Sequence, residues 1–165
     1  MSDTCKGMMN DAIKPLAWLL GRWQAEKGQG VYPTISDFKY GEEVEFFHVG
    51  QPNVQFSFYS WNPETKRPMH REIGFIRIKP GTNKVALMCA HNFGVSEVQE
   101  GEVTENRLQA ETVGITRMSF AKDPETKKVS RIFCRTDDEL EQVVSMETSN
   151  TPMTEHLRIK YKKVQ

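Results

Sequence analysis

The sequence predicts an all-β fold: an antiparallel up-and-down β-barrel of about ten strands with a short N-terminal helix. Three observations carry that expectation. Apolar and polar residues alternate with a period of two in segment after segment between residues 43 and 161. Short clusters of Gly, Pro, Asn and Asp separate those segments. Beyond residue 21 no second helical pattern appears, so βαβ units are excluded. A chain of 165 residues, 38% hydrophobic and 27% charged, is long enough for one core. The expected organisation is a flexible N-terminus over residues 1–9 and a single barrel domain over residues 10–165.

The helix is expected from about Met8 to Leu20, where Met9, Ile13, Leu16 and Leu20 recur at three- and four-residue steps. Pro15 interrupts it, which predicts a short or broken helix. The next stretch, Gly21 to Thr34, places Trp23 as a core aromatic on the first strand. Gly28 and Gly30 there permit a tight turn or a close backbone approach, and the stretch reads as a hairpin sealing one barrel end.

Further strands follow. Val44, Phe46 and His48 alternate with Glu43, Glu45 and Phe47, and Val54, Phe56 and Phe58 alternate with Gln55, Ser57 and Tyr59. Ile76 and Ile78 flank Arg77. Leu140, Gln142, Val144 and Met146 form one face, as do Leu157, Ile159 and Tyr161. Turns are expected at Gly50 to Asn53, Pro80 to Asn83, Glu105-Asn106 and Asp137-Asp138. Pro-Glu-Thr-Lys occurs at Pro63 to Lys66 and at Pro124 to Lys127, after Asn62 and Asp123, which suits type I turns. A barrel of about this strand number can hold one small ligand. A two-sheet sandwich with a filled core is the competing architecture.

Charge and motifs exclude several functions. Lys plus Arg is 22 and Asp plus Glu is 22, so the basic excess of a nucleic-acid binder is absent. The longest apolar runs, such as Leu16 to Leu20, are too short for a membrane-spanning helix. Cys5, Cys89 and Cys134 form no C-x-x-C, which removes zinc knuckles, thioredoxin-type sites and covalent C-x-x-C-H haem attachment. Those cysteines, and an N-terminus without a signal-peptide layout, predict a cytoplasmic protein, with the nucleus open to it by passive diffusion. No nucleophile elbow, zincin, Walker or dinucleotide motif occurs.

Histidines and methionines remain. His48 shares a face with Val44 and Phe46 and reads as a core histidine. His91, beside Asn92 and Gly94, reads as exposed at a turn. His70 reads either as a strand-edge residue or as a pocket residue. Met69, Met88, Met118 and Met146 read as core fillers. His156 is out of phase with Leu157, Ile159 and Tyr161, so a regular strand would turn it to solvent; Pro152 upstream allows a bulge that re-aims it.

The stretch Gly21-Arg22-Trp23-Gln24-Ala25-Glu26-Lys27-Gly28-Gln29-Gly30-Val31-Tyr32-Pro33-Thr34 resembles the nitrobindin signature G-x-W-x-G-x-G-x-G-x-Y-P, in which Thr commonly follows. Ala25 and Lys27 depart from the family's glycines, and the turn is one residue longer. Tyr40 to Val49, Pro68 to Glu72 with Gly74-Phe75, Val144 to Met146 and Thr151 to Leu157 extend the resemblance over about residues 10–165. It is closest to the C-terminal nitrobindin domain of animal THAP-type zinc-finger proteins.

That resemblance implies a ten-stranded barrel holding non-covalent haem b with ferric iron, His156 as axial ligand and Thr34 against the haem. It also implies that Met69, His70 and Met146 line the pocket. NO and peroxynitrite would be the small-molecule ligands, with isomerisation of peroxynitrite to nitrate as the activity. The alternative is a non-enzymatic carrier of a small apolar ligand, like the lipocalins and fatty-acid-binding barrels. Such carriers catch a carboxylate with an Arg-x-Tyr pair near the C-terminus. Here Arg158 and Tyr161 are three apart, on opposite faces of a strand, which disfavours the carrier. A pure protein-interaction domain has no positive feature in its support.

Overall fold

The alternating segments form ten strands in a computed structural model that describes residues 6–164. In chain order they are β1 (Gly21–Tyr32), β2 (Ile35–Phe47), β3 (Asn53–Trp61), β4 (Pro68–Ile78) and β5 (Lys84–His91). There follow β6 (Val95–Thr104), β7 (Arg107–Arg117), β8 (Thr126–Thr136), β9 (Glu139–Thr148) and β10 (Thr154–Lys163). Each strand pairs antiparallel with its neighbours in sequence, and β1 pairs with both β2 and β10. The sheet therefore closes into a barrel in which each strand lies between two partners, and the sandwich alternative is excluded. Among the described residues no helix is long and apolar enough to cross a membrane. The expected flexible segment over 1–9 falls mainly on residues 1–5, which lie outside the described ones. Lys6 N–H donates to the His48 carbonyl at 2.9 Å, and Met9 packs against the core.

The N-terminal helix is a 3₁₀ helix over Asp11–Leu19, with Pro15 inside it and Asn10 accepting from the Ala12 N–H at 3.0 Å. Three residues per turn put Ile13, Leu16 and Leu19 on one buried stripe. This corrects the expected face, because the tighter winding selects Leu19 rather than Leu20. The helix packs against β3, β4 and β6 and plugs one end of the barrel. Trp23 Nε1 donates to the Leu19 carbonyl at 2.8 Å, tying the plug to β1. Beside it Phe46, Phe56, Leu87, Leu108, Phe133 and Leu140 complete a closed apolar core.

The expected turns form at three places, and at a fourth the expectation changes. Glu105-Asn106 and Asp137-Asp138 are two-residue hairpin turns, and Glu105 and Asp137 take φ of 46° and 54°. At the first Pro-Glu-Thr-Lys, Asn62 Oδ1 accepts from the Glu64 and Thr65 N–H groups, each at 3.0 Å, and closes the turn. The second copy is no type I turn. The chain only bends at Asp123 and Pro124 and enters β8 at Thr126.

Gly28 and Gly30 belong to β1 rather than to a turn. A Cβ on Gly30 would fall 2.1 Å from the Phe38 ring, and one on Gly28 2.7 Å from the Tyr40 ring. These glycines let two aromatic rings of β2 lie across β1. The extra residue of this stretch sits in a bulge: Ala25 pairs with Glu42 but Gly28 with Tyr40, so Glu26 and Lys27 share one space. Met88 and Met118 are 36% and 37% exposed, so neither fills the core. In β5 the inward positions are Val85, Leu87 and Cys89, and Met88 falls between them.

Candidate functional site

Opposite the plug the barrel opens into a cavity of about 230 Å³. Its walls are mostly apolar: Phe38, Tyr40, Phe58, Met69, Val144 and Leu157 contribute, with Phe93 and Met146. Four of the expected site residues meet here, namely Met69, His70, Met146 and His156. Thr34 does not. It is exposed in the turn joining β1 to β2, beyond Tyr32, and lies outside the cavity lining.

His156 reaches the cavity through a local irregularity. Glu155 pairs with Ser145 and Leu157 with Val144, so His156 is the extra residue of a β-bulge in β10. The bulge changes its direction without disturbing Ile159 and Tyr161, which remain buried. Its Nδ1 lies 3.0 Å from the Val31 carbonyl oxygen. A carbonyl only accepts, so Nδ1 carries the hydrogen and Nε2 keeps a lone pair. The Tyr32 and Phe38 rings meet the imidazole edge-on, with centroids at 5.1 and 6.1 Å. Burial pushes the His156 pKa down, the Val31 hydrogen bond opposing, so the ring is neutral at neutral pH. A neutral imidazole with one nitrogen anchored and the other bare is the form that binds a metal.

Between cavity and plug lies a buried polar layer that the sequence reading did not single out. Glu42, Glu72, Glu97, Gln99, Thr112, Arg131 and Gln142 are all buried. Arg131 Nη2 lies 2.7 and 2.9 Å from the two oxygens of Glu72. The guanidinium also stands over the rings of Phe58 and Phe133, at 5.3 and 6.0 Å from their centroids. Its Nε and Nη1 have no acceptor among the described residues. A signal for this layer does exist in the sequence. Glu42 is in phase with Val44 and Phe46, Glu72 with Ile76 and Ile78, and Arg131 with Val129 and Phe133. Charged residues at core-phase positions of three strands mark a polar interior.

His91 corrects its expectation. It is in phase with Cys89 and Leu87, its side chain is 6% exposed, and it lines the cavity. The nearby Asn92 and Gly94 make the turn, but strand parity turns His91 inward before it begins. His70 Nε2 lies 3.0 Å from His91 Nδ1, and His91 Nε2 lies 2.8 Å from Glu97 Oε2. His48 is buried as expected, near the opposite end, where its Nδ1 accepts from the Gly50 N–H at 3.1 Å.

Glu42 makes the layer sensitive to pH. Tyr161 Oη and Gln142 Nε2 donate to its Oε1 at 2.5 and 3.2 Å. Burial pushes its pKa up to about 7; the Tyr161 hydrogen bond opposes this, the Glu72 charge adds to it, and Arg131 and Gln142 oppose it. A carboxyl that holds its proton more tightly when folded stabilises the fold below its unfolded pKa. That contribution is lost as pH rises through about 7. Glu42→Gln keeps an acceptor for Tyr161 and removes the titration. At about pH 8.5 the variant should exceed the parent in stability by on the order of 2–3 kcal/mol, and at about pH 4 by nothing. Urea denaturation at both pH values measures the difference; an equal gain at both would show that the charge is not responsible.

Residues 12–163 match a family model described as a THAP4-like, heme-binding beta-barrel domain. The human protein named peroxynitrite isomerase THAP4 is 51% identical over 158 residues, which are 94% of this chain and 27% of that protein. The chain thus spans about a quarter of the length of this relative and of its rat counterpart, of which it covers 28%. An Arabidopsis thaliana protein named peroxynitrite isomerase Rv2717c is 36% identical over 150 residues, covering 88% of this chain and 85% of the relative. The crystal structure of Rv2717c from M. tuberculosis superposes with a TM-score of 0.86 at 30% identity, covering 96% of this chain and 100% of that one.

Proposed function

From the premise that the chain belongs to the THAP4-like haem-binding β-barrel family, we propose that it holds one non-covalent haem b with ferric iron and isomerises peroxynitrite to nitrate. The observation that carries this reading is His156: a neutral imidazole on a bulge, anchored at Nδ1 and offering Nε2 to an apolar cavity. When bound, the group supplies an iron able to act as Lewis acid and one-electron partner toward a peroxide O–O bond. NO is a second small ligand for the same iron.

The protein's part is binding, orientation and exclusion of water. His156 would hold the iron through Nε2. Met69, Met146, Phe38 and Val144 supply apolar walls, and the Tyr32 and Phe38 rings keep the imidazole from swinging away. Tyr32 is itself fixed by its hydroxyl, which donates to the Met146 carbonyl at 2.9 Å. Thr34, in the exposed turn beyond Tyr32, would reach only a group protruding from the mouth. Cys89 and Cys134 are free, which supports a reducing compartment, the cytoplasm with access to the nucleus.

The carrier alternative lacks an anion anchor. Arg158 is exposed and paired with Glu155 and Glu141. The buried Arg131 is outnumbered by Glu42, Glu72 and Glu97, so a fatty-acid carboxylate would meet net negative charge.

Reconstitution with haemin tests the proposal. A Soret band at about one haem per chain is expected, extractable by acid-acetone because no covalent link exists. The holoprotein should speed peroxynitrite decay in stopped flow and raise the nitrate yield, and the apoprotein should do neither. Rates equal to those of free haemin would reduce the function to haem binding. Stoichiometric fatty-acid binding without a Soret band would establish the carrier instead.

A further inference from the structure

Across the cavity from His156, three neighbouring strands gather two imidazoles and two carboxylates. β4 carries His70 and Glu72, two residues apart on its inner face, β5 carries His91 and β6 carries Glu97, and all four line the cavity. β5 lies five strands from β10 whichever way the closed barrel is followed. His70 Nε2 lies 3.0 Å from His91 Nδ1, and that same His91 nitrogen lies 3.7 Å from Glu72 Oε2. Ligand atoms of the three residues fall within 4.8 Å of one another. This is the spacing of a metal shell: two bonds of about 2.0–2.1 Å at a tetrahedral angle set their ligand atoms roughly 3.3 Å apart.

Two further features distinguish the cluster from an ordinary hydrogen-bonded chain. Glu72 Oε1 is buried and receives no aligned hydrogen bond among the described residues, although Arg131 Nη2 stands 2.7 Å away. His91, in turn, is supported from behind. Its Nε2 lies 2.8 Å from Glu97 Oε2, and Glu97 Oε1 accepts from Gln99 Nε2 at 2.7 Å and from Thr112 Oγ1 at 2.9 Å. A metal-binding histidine characteristically gives its other N–H to such a fixed carboxylate. Phe93 packs against both rings, its centroid 5.5 Å from that of His70 and 5.2 Å from that of His91. None of this depends on how many hydrogens His91 carries, because an incoming cation displaces whichever hydrogen lies between the two rings.

We infer that His70, Glu72 and His91 form a divalent transition-metal site in the cavity wall, with Glu97 as the positioning residue behind His91. Two imidazoles and one carboxylate leave coordination room for a water or small ligand from the cavity, the pattern of catalytic rather than structural sites. Imidazole donors favour zinc or ferrous iron over magnesium or calcium. The local charge permits a cation, since Glu72 and Glu97 set two carboxylates against the one guanidinium of Arg131. Arg131 weakens the site by repulsion but does not fill it, because a carboxylate has lone pairs for both a guanidinium and a metal.

Calorimetric titration of the chain with zinc at about pH 7.5, without haemin, tests the site. One zinc per chain is expected, and magnesium at the same concentration should not bind. His91→Ala should weaken zinc binding by on the order of a hundredfold or more, and Glu97→Gln by about 10–100-fold although Glu97 does not touch the ion. His156→Ala should leave it unchanged. In the parent, zinc should move the ¹⁵N resonances of His70 Nε2 and His91 Nδ1 and leave those of His48 in place, so the site is read even where a variant fails to fold. No zinc binding, or zinc lost in His156→Ala and kept in His91→Ala, would overturn the inference. Magnesium binding as tight as that of zinc would reduce the cluster to bare charge attraction and overturn it too. A chain that binds zinc at this wall yet takes up no haem would refute the proposed function and leave the metal site standing.

Discussion

His156→Ala will lose haem affinity by on the order of a hundredfold or more while the barrel stays folded. Removing a group that merely orients a metal ligand costs about 10–100-fold, and here the ligand itself is removed. The other two histidines that line the cavity are tied to each other. His70 engages its Nε2 with His91, and His91 engages both nitrogens, one with His70 and one with Glu97. The cost to folding is small, about 1 kcal/mol, because the imidazole packs only at the mouth against Tyr32, Phe38 and the Val31 carbonyl. Haemin titration followed at the Soret band measures the first quantity, and urea denaturation of the apoprotein measures the second. His48→Ala is the matched control, since His48 lies near the plug end. Loss of haem in the control with retention in His156→Ala would assign the ligand wrongly.

Arg131→Met will destabilise the apoprotein by about 3–5 kcal/mol. Arg131 and Glu72 are each 2% exposed, and deleting one partner strands the other's charge in the barrel interior. Methionine keeps most of the volume against Phe58 and Phe133, so the loss comes from charge rather than from a cavity. The double variant Arg131→Met with Glu72→Gln should recover most of the loss, because no uncompensated charge remains. Denaturation of both single variants and the double at neutral pH closes the cycle. If the double is as unstable as Arg131→Met alone, packing rather than charge is the cause.

Local pattern in the sequence determined the architecture. Period-two alternation over Val44 to His48, Val54 to Phe58 and Leu140 to Met146, with tight turns such as Glu105-Asn106, suffices for consecutive antiparallel strands. Side chains on a strand alternate whatever lies beyond it. Pro15 was enough to shorten the helix, since a proline removes a helical donor wherever it stands. The motif resemblance singles out His156, which lines the cavity although its parity points outward.

What only the tertiary structure decided is where parity breaks and what meets across the barrel. A bulge is a pairing event between two strands, so neither the one that turns His156 inward nor the one that absorbs Glu26 and Lys27 is written in either strand alone. His91 looked like a turn residue beside Asn92 and Gly94, and it became an interior one because His70 and Glu97 receive it from neighbouring strands. Glu72 and Arg131 are 59 residues apart in sequence. Their phase alone says that each points inward. That they face each other, cancel charge and divide a filled core from an open cavity depends on closure of β1 onto β10, a long-range condition that no local spacing encodes.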